Sequence, residues 1–386
     1  MVRSEELKKI IALCDFVVSS DETKTDWTTD FALFGYALCK LDAYLKEDRY
    51  YMFLKSFCDR HIKEKPYLDN IDCAAPSLVV YEMYKRTGND EYLSLVKSVL
   101  SFLERQSKTS GDAVNRFKGS MLRAYYTENL IPCAYLSYIR AKDLNDEDAL
   151  RQAIRLPKIY ADYLMDKKDD LFGHSYWPDA KIRLPFGRNY TGRDNALALF
   201  ALTLIAEGED YIHKDINGLI IRLTTSFFKY RNVDGSYNWL FKNKRRSETT
   251  GFITGGKSVY LGSGSPKSEE IGGIETSNLP ITHSEGRAPK DAAIAAYYAA
   301  CCLKNSAAGI IDEGYAQAGK DAFLNALNSL VNESGAIYLP DVSRKVFLQN
   351  IMPNLFSKIN AKTRNSLYGA AGLVFAALEY DKRSGL

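Results

Sequence analysis

With 386 residues, 46% of them hydrophobic and 26% charged, the chain has the make-up of a globular protein. A net charge of +3, with no basic run longer than Lys242–Arg246, argues against nucleic-acid binding. No apolar run approaches the roughly 18 residues of a membrane span.

The N-terminus carries early charges, and Asp15 interrupts its apolar stretch Ile10–Val18, so it lacks a secretory pattern. The seven cysteines include no C-x-x-C pair and mostly fall in apolar helical stretches. This predicts a reduced, cytoplasmic protein without disulfides or a zinc site. Tyrosine is the exception in composition, with 26 copies, and tyrosine-rich clefts suit sugars.

Residues 4–18 predict an amphipathic helix. Asp30–Leu45, preceded by Asp26 and Trp27, is apolar on nearly every side, and residues 49–64 supply an amphipathic partner. A helix with no polar face has to be buried all round, so the first of these is an inner helix and the second an outer one. The pair recurs at Asp72–Arg86 and Tyr92–Arg105, separated by the stop and fresh N-cap signal Thr87-Gly88-Asn89-Asp90. A polar break, Gln106–Arg116, leads to a third inner helix, Glu128–Arg140, and its outer partner at 147–167. The step from Glu128 to Pro132 repeats that from Asp72 to Pro76, a short internal repeat.

The aromatic loop Asp169–Arg193 is too long for a simple connector and reads as functional. The fourth inner helix begins at Asp194-Asn195, with His213–Arg231 outside it. Asn232–Ala288 breaks the pattern with many Gly and Ser, and is expected to be one large loop insertion, with strand-like pieces at Ser236–Phe241 and Lys257–Leu261. Pro289–Leu303 and Tyr315–Val331 form the fifth pair. Residues 333–365 are a turn-rich excursion, and Leu367–Leu378 is the sixth inner helix.

Six inner helices thus alternate with five outer ones, and the N-terminal helix supplies the sixth outer member. The predicted fold class is all-α, an (α/α)6 toroid forming one domain over residues 1–386 with the 232–288 insertion inside it. A solenoid would need polar caps at its ends, and neither end has one. In such a ring the inner helices run the same way, so their N-terminal ends and the long loops share one mouth. Asp30, Asp72, Glu128, Asp194 and Asp291 would all surround it.

An aspartate ahead of a helix is a favoured N-cap, so each of these acids has an ordinary structural use. Glutamate is a poor cap, which singles out Glu128. His174 has the bland reading of a loop histidine with one hydrogen bond, and Arg193 that of an ion pair with its neighbour Asp194.

Several segments resemble the six-hairpin glycosidases, the unsaturated glucuronyl and rhamnogalacturonyl hydrolases of glycoside hydrolase families 88 and 105. LDNIDCAAPSLVVYEMYKRTGNDEYL resembles their second hairpin and places Asp72 at an active-site aspartate. YYTENLIPCAYLSYIR resembles the segment W-V-D-x-L-x-M and places Glu128 at the catalytic aspartate. DLFGHSYWPD resembles G-L-F-x-H-x-W-D and carries the active-site histidine onto His174. TGRDNALAL resembles W-A-R-G-N-G-W and matches Arg193 and Asn195. NVDGSYNWL resembles D-G-x-W, and Glu275–Ser277 resembles E-S-S. Three departures stand out: glutamate at position 128, Asp194 in place of a glycine, and the absence of that motif's tryptophans.

The resemblance implies hydration of a 4,5-unsaturated uronic acid on an oligosaccharide. Glu128 would donate the proton, Asp72 would help position water or the ring hydroxyls, and His174 and Arg193 would orient the substrate. Asn195, Asp194, Trp177, Tyr126 and Trp27 complete the expected substrate-binding set, with Tyr125, Tyr126, Tyr176 and Trp177 around the acid. No metal or organic cofactor is implied, and the protein is expected as a monomer or homodimer. Three other readings stay open. One is a conventional inverting hydrolase using Asp72 and Glu128. Another is a sugar epimerase, which needs paired histidines such as His174 and His283, and the third is a glycan-binding protein without activity.

Overall fold

The hairpin joint at Thr87-Gly88-Asn89 forms as its residue types require. In the computed structural model Gly88 ends one helix in the left-handed region, at φ +68°, and the Asn89 side chain caps the next by accepting from the Glu91 amide at 2.9 Å. The structure describes residues 3–20, 25–106, 108, 114–116, 123–186, 188–208, 214–242, 288–340, 342 and 366–384.

Twelve α-helices are present among the described residues. They are α1 (Glu5–Ser19), α2 (Thr29–Leu45), α3 (Tyr51–Glu64), α4 (Ser77–Thr87), α5 (Asp90–Glu104), α6 (Leu136–Asp143), α7 (Glu147–Leu164), α8 (Gly192–Glu207), α9 (Lys214–Phe228), α10 (Ala292–Ala307), α11 (Gly314–Asn328) and α12 (Leu367–Ser384). The even-numbered helices are the inner ones. α2 packs on α4, the turn Ile71–Ala74 before α4 packs on Leu130–Tyr135 before α6, and that segment packs on α8; α8 then packs on α10, α10 on α12, and α12 returns to α2, closing the ring. The odd-numbered helices lie outside, and α1 packs on α12 as the sixth outer member. The all-α toroid is therefore the observed fold. All seven cysteines are free.

The boundaries differ from expectation at two informative places. Residues expected as the starts of the second and third inner helices are tight 3-10 turns, Ile71–Ala74 and Thr127–Asn129. Leu130–Tyr135 then winds as a wide π-helix before α6. Proline is the reason. Pro76 and Pro132 have no N–H to give the carbonyl four residues back, which belongs to Asp72 or Glu128. The Asp72 carbonyl accepts instead from the Ala75 amide, three residues on, at 3.2 Å. In addition, α12 runs six residues past the expected end, because its last turns are amphipathic rather than apolar.

Small antiparallel pairs decorate the mouth. β1 (Tyr125–Tyr126) pairs with β2 (Ser175–Trp177), which pairs with β3 (Ile182–Leu184). β4 (Asn189–Thr191) pairs with β5 (Leu240–Lys242), and β6 (Val331–Glu333) with β7 (Ala336–Tyr338). The expected strand at 236–241 is thus the shorter β5. Lys257–Leu261, Glu275–Ser277, His213 and His283 lie outside the described residues.

Candidate active site

The N-terminal ends of the inner helices converge, as the contacts of one arginine show. β4 runs straight into α8, so Arg193 follows a strand held by the Gly192 amide on the Trp239 carbonyl at 2.8 Å. Its guanidinium reaches three other inner segments. Nη2 donates to Asp30 Oδ1 of α2 at 2.5 Å, and Nε donates to Glu128 Oε1 at 3.1 Å. Its plane lies over the Tyr368 ring of α12 at 4.1 Å. Arg193 is 7% exposed and Glu128 2%. Burial opposes the arginine charge, but Asp30 and then Glu128 more than offset it and hold the group protonated.

The β1–β2 pairing places His174 next to Glu128. The Thr127 amide donates to the His174 carbonyl at 3.1 Å, so the two segments are tied one residue before the glutamate. The His174 ring meets Tyr126 edge-to-face, with centroids 5.1 Å apart. Its Nδ1 lies 3.1 and 3.0 Å from the two oxygens of Asp194, which also accepts from the Thr191 hydroxyl. Asp194 is therefore engaged with His174 and Thr191 within the protein. Arg188, in the same loop, pairs with Asp169.

Asp72 lines the same cleft as Asp30. Its carboxylate accepts from Arg116 and, at 2.8 Å, from the Asn129 amide. Arg116 in turn covers the Tyr126 ring at 4.1 Å. A cleft of about 370 Å3 is lined by Trp27, Thr28, Thr29, Asp30, Asn70, Asp72 and Cys73. The Trp27 indole N–H donates to the Cys73 carbonyl at 2.6 Å, which fixes the ring at that wall. At the other end of the barrel, the C-terminal ends of inner helices enclose a second cavity of about 290 Å3, lined by Tyr36, Lys40, Glu207 and Lys304 among others.

Several expected residues have other roles. Asn195 is wholly buried, and its amide is spent on the backbone: it accepts from the Phe172 amide at 2.7 Å and donates to the Phe172 and Thr191 carbonyls, each at 3.0 Å. It pins the histidine loop to α8. Trp177 donates to the Ser175 hydroxyl at 3.1 Å and is absent from the cleft wall. Tyr125 and Tyr176 stack on each other, and Tyr163 of α7 packs against both at a tilt. Strand alternation explains this, since Tyr125 and Tyr126 must point to opposite faces. The sequence reading did not assign Arg116, Tyr368 or a specific role for Asp30. Asp30 had one legible signal: Thr28 stands two residues earlier and is itself a good cap.

A family model, Glycosyl Hydrolase Family 88, matches residues 5–245. The chain belongs to this family. It is a glycoside hydrolase, and the family's substrates are oligosaccharides. No curated protein matches it in sequence. Solved structures share the fold. A possible member of family 105 from Klebsiella pneumoniae is 13% identical, with a TM-score of 0.77 and coverage of 100% of this chain and 94% of that one. An unsaturated glucuronyl hydrolase from Bacillus sp. GL1 is 13% identical, with a TM-score of 0.67 and 97% coverage of each chain. A heparin-specific unsaturated glucuronyl hydrolase is 15% identical, with a TM-score of 0.67 and coverage of 99% and 97%. No helix among the described residues is long and apolar enough to cross a membrane.

Proposed function

We propose that this family 88 protein releases a 4,5-unsaturated uronic acid from an oligosaccharide by hydrating its double bond. The observation that carries the reading is a buried glutamate at the mouth of the toroid, hydrogen-bonded to an arginine seated on an aromatic ring. The family assignment and the neighbours named as unsaturated glucuronyl hydrolases support the substrate class.

Glu128 delivers a proton to C4 as a water molecule adds to C5, and the water's spare proton returns to the carboxylate. The hemiketal formed at C5 collapses to a ketone, the ring opens, and C1 expels the hydroxyl of the neighbouring sugar. Asp72, held by Arg116 and Asn129, positions water or ring hydroxyls. His174 is fixed through Nδ1 by Asp194, which leaves Nε2 for the substrate. Trp27 gives a sugar ring a flat face in the cleft. The protein is expected to act as a monomer or homodimer without a cofactor.

The test is the loss of absorbance near 235 nm when the protein meets unsaturated oligosaccharides from lyase digests, run beside Glu128→Gln. Loss with the wild type alone establishes hydration and makes Glu128 the acid. Loss with both moves the acid elsewhere, with Asp72 next in line. No loss with any substrate overturns the proposal and favours a conventional hydrolase or a binding protein.

A further inference from the structure

One guanidinium edge serves two carboxylates. Nε and Nη2 of Arg193 lie on the same side of the group, so Glu128 at 3.1 Å and Asp30 at 2.5 Å sit next to each other along it. Asp30 is not spent on capping α2, because the Thr28 hydroxyl already accepts from the Phe31 amide at 3.3 Å. Its side chain is 42% exposed, whereas that of Glu128 is 1% exposed.

Two carboxylates sharing one cation favour a proton on one of them, and burial favours the glutamate as its holder. The shorter contact to Asp30 gives that residue the larger share of the arginine's charge. Resting on the reading of Glu128 as the acid, we propose that Asp30 is a positioning residue that occupies Arg193 and so allows Glu128 to keep its proton.

Other charged or titratable groups face this pair from each neighbouring element. Asp72, from the turn before α4, is bonded to Arg116 and Asn129. Asp194 of α8 is bonded to His174 and Thr191. Asp291 caps α10 through the Ala293 and Ile294 amides at 3.0 and 3.4 Å. Tyr368 of α12, beneath the arginine, stacks on Tyr297 of α10 with ring centroids 4.8 Å apart, and burial raises both phenols well above their usual range, keeping them neutral.

The test reads the proton on Glu128 directly, by carbon NMR of protein labelled at the glutamate side-chain carboxyl. The resonance missing from Glu128→Gln identifies the group. In Asp30→Asn its proton binding should weaken about tenfold, the size of one close like charge, while Asp30→Glu leaves it unchanged. Asp30→Ser repeats the neutral case should the asparagine variant fail to fold. An unmoved or tightened titration in the neutral variants overturns the proposal. The readout needs no substrate, so a failed 235 nm assay leaves this result standing and removes only the catalytic reading of it. Where the assay succeeds, the alkaline limb of the kcat profile should move down with the NMR titration in Asp30→Asn.

Discussion

Replacing Asn195 with alanine separates a structural role from a binding one. The side chain satisfies three buried backbone groups: the Phe172 amide at 2.7 Å and the Phe172 and Thr191 carbonyls at 3.0 Å. Each buried group left without a partner costs about 1–3 kcal/mol, and entry of water into the space left by the amide brings the sum toward the lower end, about 3 kcal/mol. The loss should appear in urea unfolding followed by circular dichroism. It should also appear locally, since about 3 kcal/mol corresponds to roughly 100-fold faster hydrogen exchange at Phe172 if the loop opens on its own. Phe172 lies two residues before His174, so a loosened loop also lowers kcat without a specific rise in KM. Unfolding within about 1 kcal/mol of wild type and unchanged exchange at Phe172, together with a raised KM, would refute the structural assignment and return Asn195 to the substrate.

Two further perturbations probe the scaffold. A Cβ at Gly192 would meet Ile294 Cδ1 at 2.4 Å, with the Asn238 carbonyl and Phe241 each at 3.2 Å. Gly192→Ala should therefore cost about 1–3 kcal/mol, and adding Ile294→Val should recover part of it in thermal melts; no recovery would mean the clash lies elsewhere. His61 is packed edge-on against Phe57 at 4.5 Å and Trp27 at 5.0 Å, and burial lowers its pKa below the usual 6.5. Its contribution is complete above about pH 6.5 and is lost as pH falls toward the folded value, because the unfolded chain takes up the proton first. His61→Gln should flatten that part of the urea midpoint against pH, and an unchanged slope would exclude His61 as its source.

The ring was legible because burial on all sides leaves a plain mark: α8 from Ala196 to Ala206 and α10 from Ala292 to Leu303 carry almost no polar residue, and such helices have only the inner position open to them. The extra turns of α12 were hidden because Glu379, Lys382 and Arg383 face the rim at the far end, where Lys382 and Lys304 pair with Glu379 and Arg383 with Glu313. Glu128, Asp72, His174 and Arg193 were legible as motif positions, and the structure brings Glu128, His174 and Arg193 to neighbouring turns and ties Asp72 to Asn129 beside Glu128. The partnerships were not legible. Whether Arg193 bonds Asp194 or Asp30 depends on which inner helices adjoin across the mouth, and sequence adjacency pointed to the wrong aspartate.

The repeated acid-to-proline spacing connects fold to chemistry more closely than a helix cap does. With no N–H at Pro76 or Pro132, the acid four residues earlier cannot begin a regular α-helix, and the chain must enter through a tighter turn. That turn holds Asp72 and Glu128 ahead of their helices, where the carboxylates meet side chains of neighbouring segments, Asn129 and Arg193. An aspartate at the N-cap, as at Asp291, accepts from amides one turn inside its helix and is held there. The proline thus shapes the entry that carries Asp72 and Glu128, whereas Asp291 serves its own helix as a cap.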